Sequence, residues 1–293
     1  MINLSQVTNI LLGNTPVEQV SDSRGNVLWS AAPVVLPNYF YVEDISGSNN
    51  TLSIVKERSD CPTIEVFYSS DTVNWTSMGN TDDITPITAT VPANGKLYLK
   101  ATTTRWGNTG YYGNIITCSG NYNVGGNIMS LLNGDNFVNT SFVVNTSREF
   151  QNLFDGSTTL VNARYLVLPN NTDASCYNSM FRNCTSLTTA PELPATTVQV
   201  MCYDGMFYNC TSLTTAPTLP ATTLAQYCYE AMFQSCTNLN RVTTYANNIS
   251  ASECLTNWLY GVSATGDFFN LGGATYESGA SGIPAGWTEH NSL

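Results

Sequence analysis

Charge is scarce in this chain. Of its 293 residues only 11% are charged, against roughly 25% in an average soluble domain. Basic residues are fewest: ten Lys+Arg stand against 21 Asp+Glu, a net charge of −11. The few cations are scattered, so the electrostatic footprint that nucleic-acid binding needs is missing, and DNA, RNA and anionic lipid are poor partners. Histidine occurs once, as His290 near the end of the chain, which leaves no base for a Ser-His-Asp or Cys-His system in a buried cleft. There is no Gly-x-Ser-x-Gly, no phosphate-binding loop and no dinucleotide fingerprint. No Cys-x-x-Cys is present to begin a zinc site. The expectation is a protein without enzymatic activity, cofactor or metal. No apolar run approaches the ~18 residues of a membrane span, so no membrane insertion is expected. The opening residues lack both a basic region and an unbroken apolar core, and read as a chain made in the cytoplasm rather than as a secretory signal. In place of charge come Thr, Asn, Ser, Gly and Tyr, a polar but uncharged composition suited to exposed β-rich proteins.

Repeats settle most of the organisation. Three segments align at a period of 26: CYNSMFRNCTSLTTAPELPATT from Cys176, CYDGMFYNCTSLTTAPTLPATT from Cys202 and CYEAMFQSCTNLNRV from Cys228. The period fades at both ends, in the stretch from Phe150 to Pro169 and again from Cys254, as capping of a stacked array requires. Within a repeat, Leu224, Cys228, Met232 and Cys236 recur every four residues, which predicts a helix of about three turns. The next stretch, Ser-Leu-Thr-Thr-Ala-Pro-x-Leu-Pro, is extended, its prolines limiting any strand to a few residues. Leu187, Leu213 and Leu239, with Leu193 and Leu219, are expected to form core ladders, backed by Met180, Met206 and Met232 and by Phe181, Phe207 and Phe233.

The first half differs in texture. Between residue 38 and about residue 124, six or seven short apolar runs are bounded by turn signals, which predicts an immunoglobulin-like β-sandwich. Residues 125–135, Gly-Gly-Asn-Ile-Met-Ser-Leu-Leu-Asn-Gly-Asp, then form a joint expected to cover the open end of the repeat stack. A short apolar unit precedes the sandwich. Its Ile10, Leu11, Leu12, Val17, Val20, Val27, Leu28 and Trp29 are too few to bury a core alone, and are assigned to anchoring or assembly. Pro33 and Pro37 mark a stiff linker. The expected division is 1–33 anchor, 34–124 sandwich and 125–293 repeat array with its C-terminal cap.

The nine cysteines read as small buried hydrophobes, because their spacing of eight within a repeat suits neither a disulfide nor a metal. Tyr177, Tyr203 and Tyr229 follow each repeat's first cysteine, with Tyr208 and Tyr245 nearby. An edge-of-core stack is one reading of them; the other is a ligand face for glycan or protein.

Cys-Tyr-x-x-Met-Phe-x-x-Cys-Thr-Ser-Leu-Thr-Thr-Ala-Pro-x-Leu-Pro-Ala-Thr-Thr resembles the BspA-type leucine-rich repeat over about residues 150–260. The resemblance implies an α/β solenoid of the kind found in surface proteins of Bacteroidales bacteria and in virion proteins of the phages that infect them, including crAss-like phages. The segment from Ile10 to Trp29 is similar to N-terminal segments of phage head and tail appendage proteins. Together these likenesses imply a virion head-fibre, decoration or tail-appendage subunit, assembled in the host cytoplasm. It would be held through its N-terminus to other virion proteins, be a homo-oligomer (a trimer by analogy), and present its repeats to host-surface glycan or protein. The alternative is a bacterial cell-surface adhesin.

Overall fold

A computed structural model describes four short strands between residues 11 and 30. It further describes residues 38–292 except 83, 109, 111, 140–146 and 171–172. The chain divides into two units, Met1–Asn38 and Tyr39–Leu293. In the first, β1 (Leu11–Leu12) pairs antiparallel with β2 (Thr15–Pro16), and β3 (Gln19–Ser21) with β4 (Val27–Ser30). Leu11 and Leu12 therefore lie on β1, Val20 on β3, and Val27, Leu28 and Trp29 on β4. Ile10 and Val17, and the side chains of the other anchor candidates, lie outside the described residues.

In the second unit, two open sheets pack over one core. The strands are β5 (Phe40–Asp44), β6 (Asn50–Lys56), β7 (Glu65–Ser69), β8 (Thr76–Asn80), β9 (Ile87–Val91), β10 (Lys96–Ala101), β11 (Asn114–Cys118), β12 (Tyr122–Asn127) and β13 (Leu160–Val167). On β10, Leu97, Leu99 and Ala101 are buried while Lys96, Tyr98 and Lys100 face outward, the two-residue period of a strand with one face on the core. Sheet order is β13-β12-β5-β10-β7-β8 in one layer and β11-β6-β9 in the other. Phe40, Val42, Val66 and Leu99 of the first meet Leu52, Ile54 and Ile116 of the second in one cluster.

The boundary expected at residue 124 falls inside β12. That strand pairs antiparallel with β5 and parallel with β13, the first strand of the repeat region, so the sheet runs on without a break. The expected joint lies at the stack: its Ile128, Met129, Leu131 and Leu132 are buried in the same cluster as Phe150, Leu153 and Phe154, and the Trp106 indole donates to the Leu131 carbonyl at 2.9 Å. Its short helix α1 (Ser130–Asn133) also lies beside β10, with Ser130 Oγ donating to the Leu99 carbonyl at 2.9 Å. Backbone bonds from the other sheet's neighbourhood tie down the stack end as well. The Trp106 amide donates to the Glu149 carbonyl at 2.7 Å, and the Ile116 amide on β11 donates to the Leu153 carbonyl at 2.8 Å.

The helices expected in the repeats do not form. Every fourth residue instead has a left-handed backbone: Ser175, Ser179 and Asn183; Met201, Gly205 and Asn209; Tyr227, Ala231 and Ser235; Glu253, Asn257 and Gly261, with φ between 48° and 75°. Between these positions the chain closes tight turns. The amides of Asn178, Met180 and Arg182 bond three residues back, to Ser175, Tyr177 and Ser179. The alternate amides leave the coil altogether. Ser175, Tyr177, Ser179, Phe181 and Asn183 donate to the carbonyls of Val200, Cys202, Asp204, Met206 and Tyr208 in the next coil at 2.8–3.0 Å. The same ladder continues from Met201 to Gln226 and from Tyr227 to Ser252. A four-residue turn and an α-helix both put i and i+4 on one side, which is why the apolar spacing suggests a helix. A true helix would drift by about 40° over each such step, whereas a ladder of turns does not.

Because the coils are in register, like stacks on like. Phe154, Phe181, Phe207 and Phe233 form a column with ring centroids 5.2, 5.4 and 5.5 Å apart. The expected leucine, methionine and phenylalanine ladders are all buried. All nine cysteines are buried, and Cys61, Cys184, Cys210, Cys236 and Cys254 each add a hydrogen bond to their volume, three of them from one coil to the next. The thiols of Cys184, Cys210 and Cys236 donate to the carbonyls of Phe154, Phe181 and Phe207 at 3.1, 3.1 and 2.9 Å. A valine of similar size would leave those turn carbonyls without that donor. On the opposite side of each coil runs the extended segment. It joins β13 through Asn162 and Thr189 and ends in the parallel strands β14 (Arg241–Thr244), β15 (Gly266–Asn270) and β16 (Trp287–His290).

Candidate functional site

The repeat tyrosines separate. Tyr177, Tyr203 and Tyr229 are at most 1% exposed and form a second column from Phe150 to Trp258, with successive centroids 6.1, 5.7, 6.1 and 6.4 Å apart. The ligand-face expectation is corrected for these three: a ring stacked on both sides inside the core cannot meet a ligand. Tyr208 is partly exposed but belongs to the turn ladder. Tyr245 is 38% exposed and sits at the end of β14, on the extended side of the coils. Tyr208 and Tyr245 thus belong to different rows and do not share a site.

Tyr245 has company that the sequence did not single out. Its amide donates to the Leu219 carbonyl at 3.0 Å, which sets it beside Pro220. One repeat earlier, Pro194 holds the position of Pro220, and the segment that carries it meets β13 where Thr189 pairs with Asn162. On β13, Val167 is 49% exposed and Tyr165, two residues before it, 66%. Across the sheet Tyr165 is the partner of Gly125, Gly125 of Tyr41, and Tyr41 of Tyr98. Gly125 is required there, because a side chain at that position would collide with the Tyr41 hydroxyl. Tyr41 is buried and Tyr98 beyond it partly exposed, so the exposed rings and prolines of this outward face lie on β13 and the coil stack. Between the segments 190–194 and 217–220 the face dips into a groove of about 270 Å³, lined by Pro191, Glu192, Leu193, Pro194, Thr218 and Pro220 among others.

The two lysines on the sheet part of this face are paired with carboxylates. Lys96 lies 3.6 Å from Glu43 and 4.0 Å above the Tyr41 ring. Lys100 lies 2.7 Å from Asp135 and 4.2 Å above Trp75. Tyr39 packs at a tilt against Trp75 with centroids 4.8 Å apart, and its hydroxyl donates to Asp135 at 2.8 Å.

On the turn side, Asp204 and Glu230 hold equivalent positions in adjacent coils, with Glu253 close by. Burial, then the neighbouring Glu230 carboxylate, pushes the Asp204 carboxyl up to about 7, while the Asn178 amide donating to it at 2.8 Å pulls the other way. Burial and then Glu253 raise Glu230 in turn. The thiols are poor nucleophiles, since burial raises Cys228 and Cys236 to about 12. His290 is spent on a 2.7 Å contact with Asp267 between neighbouring strands. Among the described residues no group of three His, Cys, Asp or Glu is placed to hold a metal ion, and no helix is long and apolar enough to cross a membrane. No family model matches the chain, and neither a curated protein nor a solved structure matches it.

Proposed function

We propose that the protein is a non-enzymatic attachment protein of a phage particle, a head-fibre, decoration or tail-appendage subunit. Its N-terminal unit docks on other virion proteins, and its larger unit is displayed outward to adhere to the host surface. In this reading the sheet pair is an immunoglobulin-like sandwich and the coil stack is a leucine-rich-repeat solenoid of the BspA type. The observation that carries it is the outward face around Tyr165, Val167, Pro194 and Tyr245, exposed rings and apolar groups on a scaffold tied coil to coil by hydrogen bonds. The repeat resemblance in the sequence supports the phage setting, and by the same analogy the subunit is a homo-oligomer, most simply a trimer. Adhesion needs no covalent step, in keeping with thiols held protonated by burial and a histidine engaged by Asp267.

Antibody raised against the full chain tests the setting. It is expected to label the outside of phage particles in negative-stain micrographs, and the protein is expected to co-sediment with particles. Labelling of uninfected bacterial cells, with none on particles, would overturn the virion assignment and favour a cell-surface adhesin.

A further inference from the structure

We propose that the outward sheet face binds an uncharged polysaccharide chain, laid across the strands between Tyr165 and Tyr245. The proposal rests on the adhesive reading above and names its ligand.

The chemistry of the lining selects the class. Tyr165, Val167, Pro194, Pro220 and Tyr245 offer apolar faces to the C–H faces of sugar rings. Prolines have no N–H, so the groove between the two coils offers acceptors: backbone carbonyls, the Thr218 hydroxyl and the Glu192 carboxylate. A ligand that combines apolar faces with many hydroxyl donors meets both. Extended peptide is disfavoured, because strand addition needs an open sheet edge and β13 is engaged on both sides, by β12 and by the Thr189 segment.

Charge disfavours the polyanionic sugars. Lys96 and Lys100 are already neutralised by Glu43 and Asp135, the exposed Arg164 lies over the Tyr165 ring as a single cation, and the chain as a whole carries −11. Length excludes a single sugar. From β13 to β14 the face crosses three strand spacings, about 14 Å at ~4.8 Å each, with the groove in the middle. The binding unit is an oligosaccharide segment touched at both ends.

A printed array of neutral, sialylated and sulfated glycans, probed with the full chain, tests this. Binding is expected on neutral oligosaccharides, increasing with chain length beyond the disaccharide. Tyr165→Ala and Tyr245→Ala should each weaken it about three- to tenfold, the size of a lost aromatic contact. Both rings are exposed, so both variants should melt at the wild-type temperature. Tyr208→Ala, on the turn ladder, should bind as wild type. Binding confined to charged glycans, no binding at all, or binding indifferent to both Tyr165→Ala and Tyr245→Ala would each overturn the proposal. So would a light-scattering mass that falls to monomer in Tyr165→Ala, which would give this face to a second copy of the chain. Particle labelling that persists while glycan binding fails would overturn this inference and leave the attachment role standing.

Discussion

Phe207→Ala is expected to destabilise the larger unit by about 3–5 kcal/mol, read as the shift in midpoint of a urea titration. Phe207 is fully buried and stacked between Phe181 and Phe233 at 5.4 and 5.5 Å. Its amide donates to the Met232 carbonyl, and its own carbonyl accepts the Cys236 thiol. The backbone bonds survive the substitution, but the hole cannot close, because the coils above and below are held at fixed spacing by the amide ladder. Tyr208→Ala, one residue along and partly exposed, should cost less than about 1 kcal/mol. A Phe207→Ala cost as small as that would mean that the aromatic column is not the core of the stack.

The second large effect is a dependence on pH centred on Asp204. Its pKa is about 7 in the folded protein against 3.8 for the free side chain, so folding favours the protonated acid. The contribution of this group to stability is therefore fully present below about pH 4. It is lost as pH rises through 7, and is flat above that. At about 1.4 kcal/mol for each pH unit, the loss is on the order of 4 kcal/mol, reduced to the extent that Glu230 and Glu253 take up protons with it. Asp204→Asn should abolish most of it. An asparagine at 204 still accepts from Asn178 and can donate to Glu230, repeating the Asn-to-acid contact that Asn178 makes with Asp204. The variant should melt several degrees above wild type at pH 8 and within a degree or so of it at pH 4. Equal melting temperatures at both pH values would show that neither burial nor the Glu230 carboxylate holds the Asp204 acid protonated.

How far the sequence could be read depended on whether a feature lies along the chain or across it. Phe181, Phe207 and Phe233 were legible as a column because three aligned copies of one motif name the stacked positions directly. The six or seven apolar runs bounded by turn signals were legible as strands for the same local reason, as at β10, although the sheet pair has nine strands among the described residues. The conformation inside each coil was not. An apolar side chain every fourth residue satisfies both a helix and a ladder of four-residue turns, and the distinguishing signal is weak: Gly205, Asn183 and Asn209 sit at left-handed positions, but so do Met201, Tyr227 and Ala231. Only part of the cap was legible, the joint at residues 125–135. Trp106 closes the stack through Glu149, more than forty residues away, and nothing in its neighbourhood announces a partner. The outward face is hidden from the sequence on the same ground. Tyr98, Tyr41 and Tyr165 are neighbours only through the pairing of β10, β5, β12 and β13, and the alternation that would mark Tyr165 as outward is broken by shifts of register along β12 and β13. Tyr245 is legible because it lies close to the repeats. Tyr177, Tyr203 and Tyr229 read as ligand candidates because a tyrosine beside a cysteine does not reveal which of the two points inward; here both do.

Everything proposed for the outward face depends on the coils being turn ladders that hold the extended segments in register, and Ala231→Gly tests that most directly. Ala231 has φ 48°, a conformation that costs an alanine about 1–2 kcal/mol and a glycine almost nothing. Against the larger entropy that glycine loses on folding, the substitution should still raise stability, by about 0.5–1 kcal/mol, seen as a melting temperature a few degrees higher. In a helix the same change would cost about 1 kcal/mol, so a lower melting temperature would contradict the turn-ladder stack and the face built upon it.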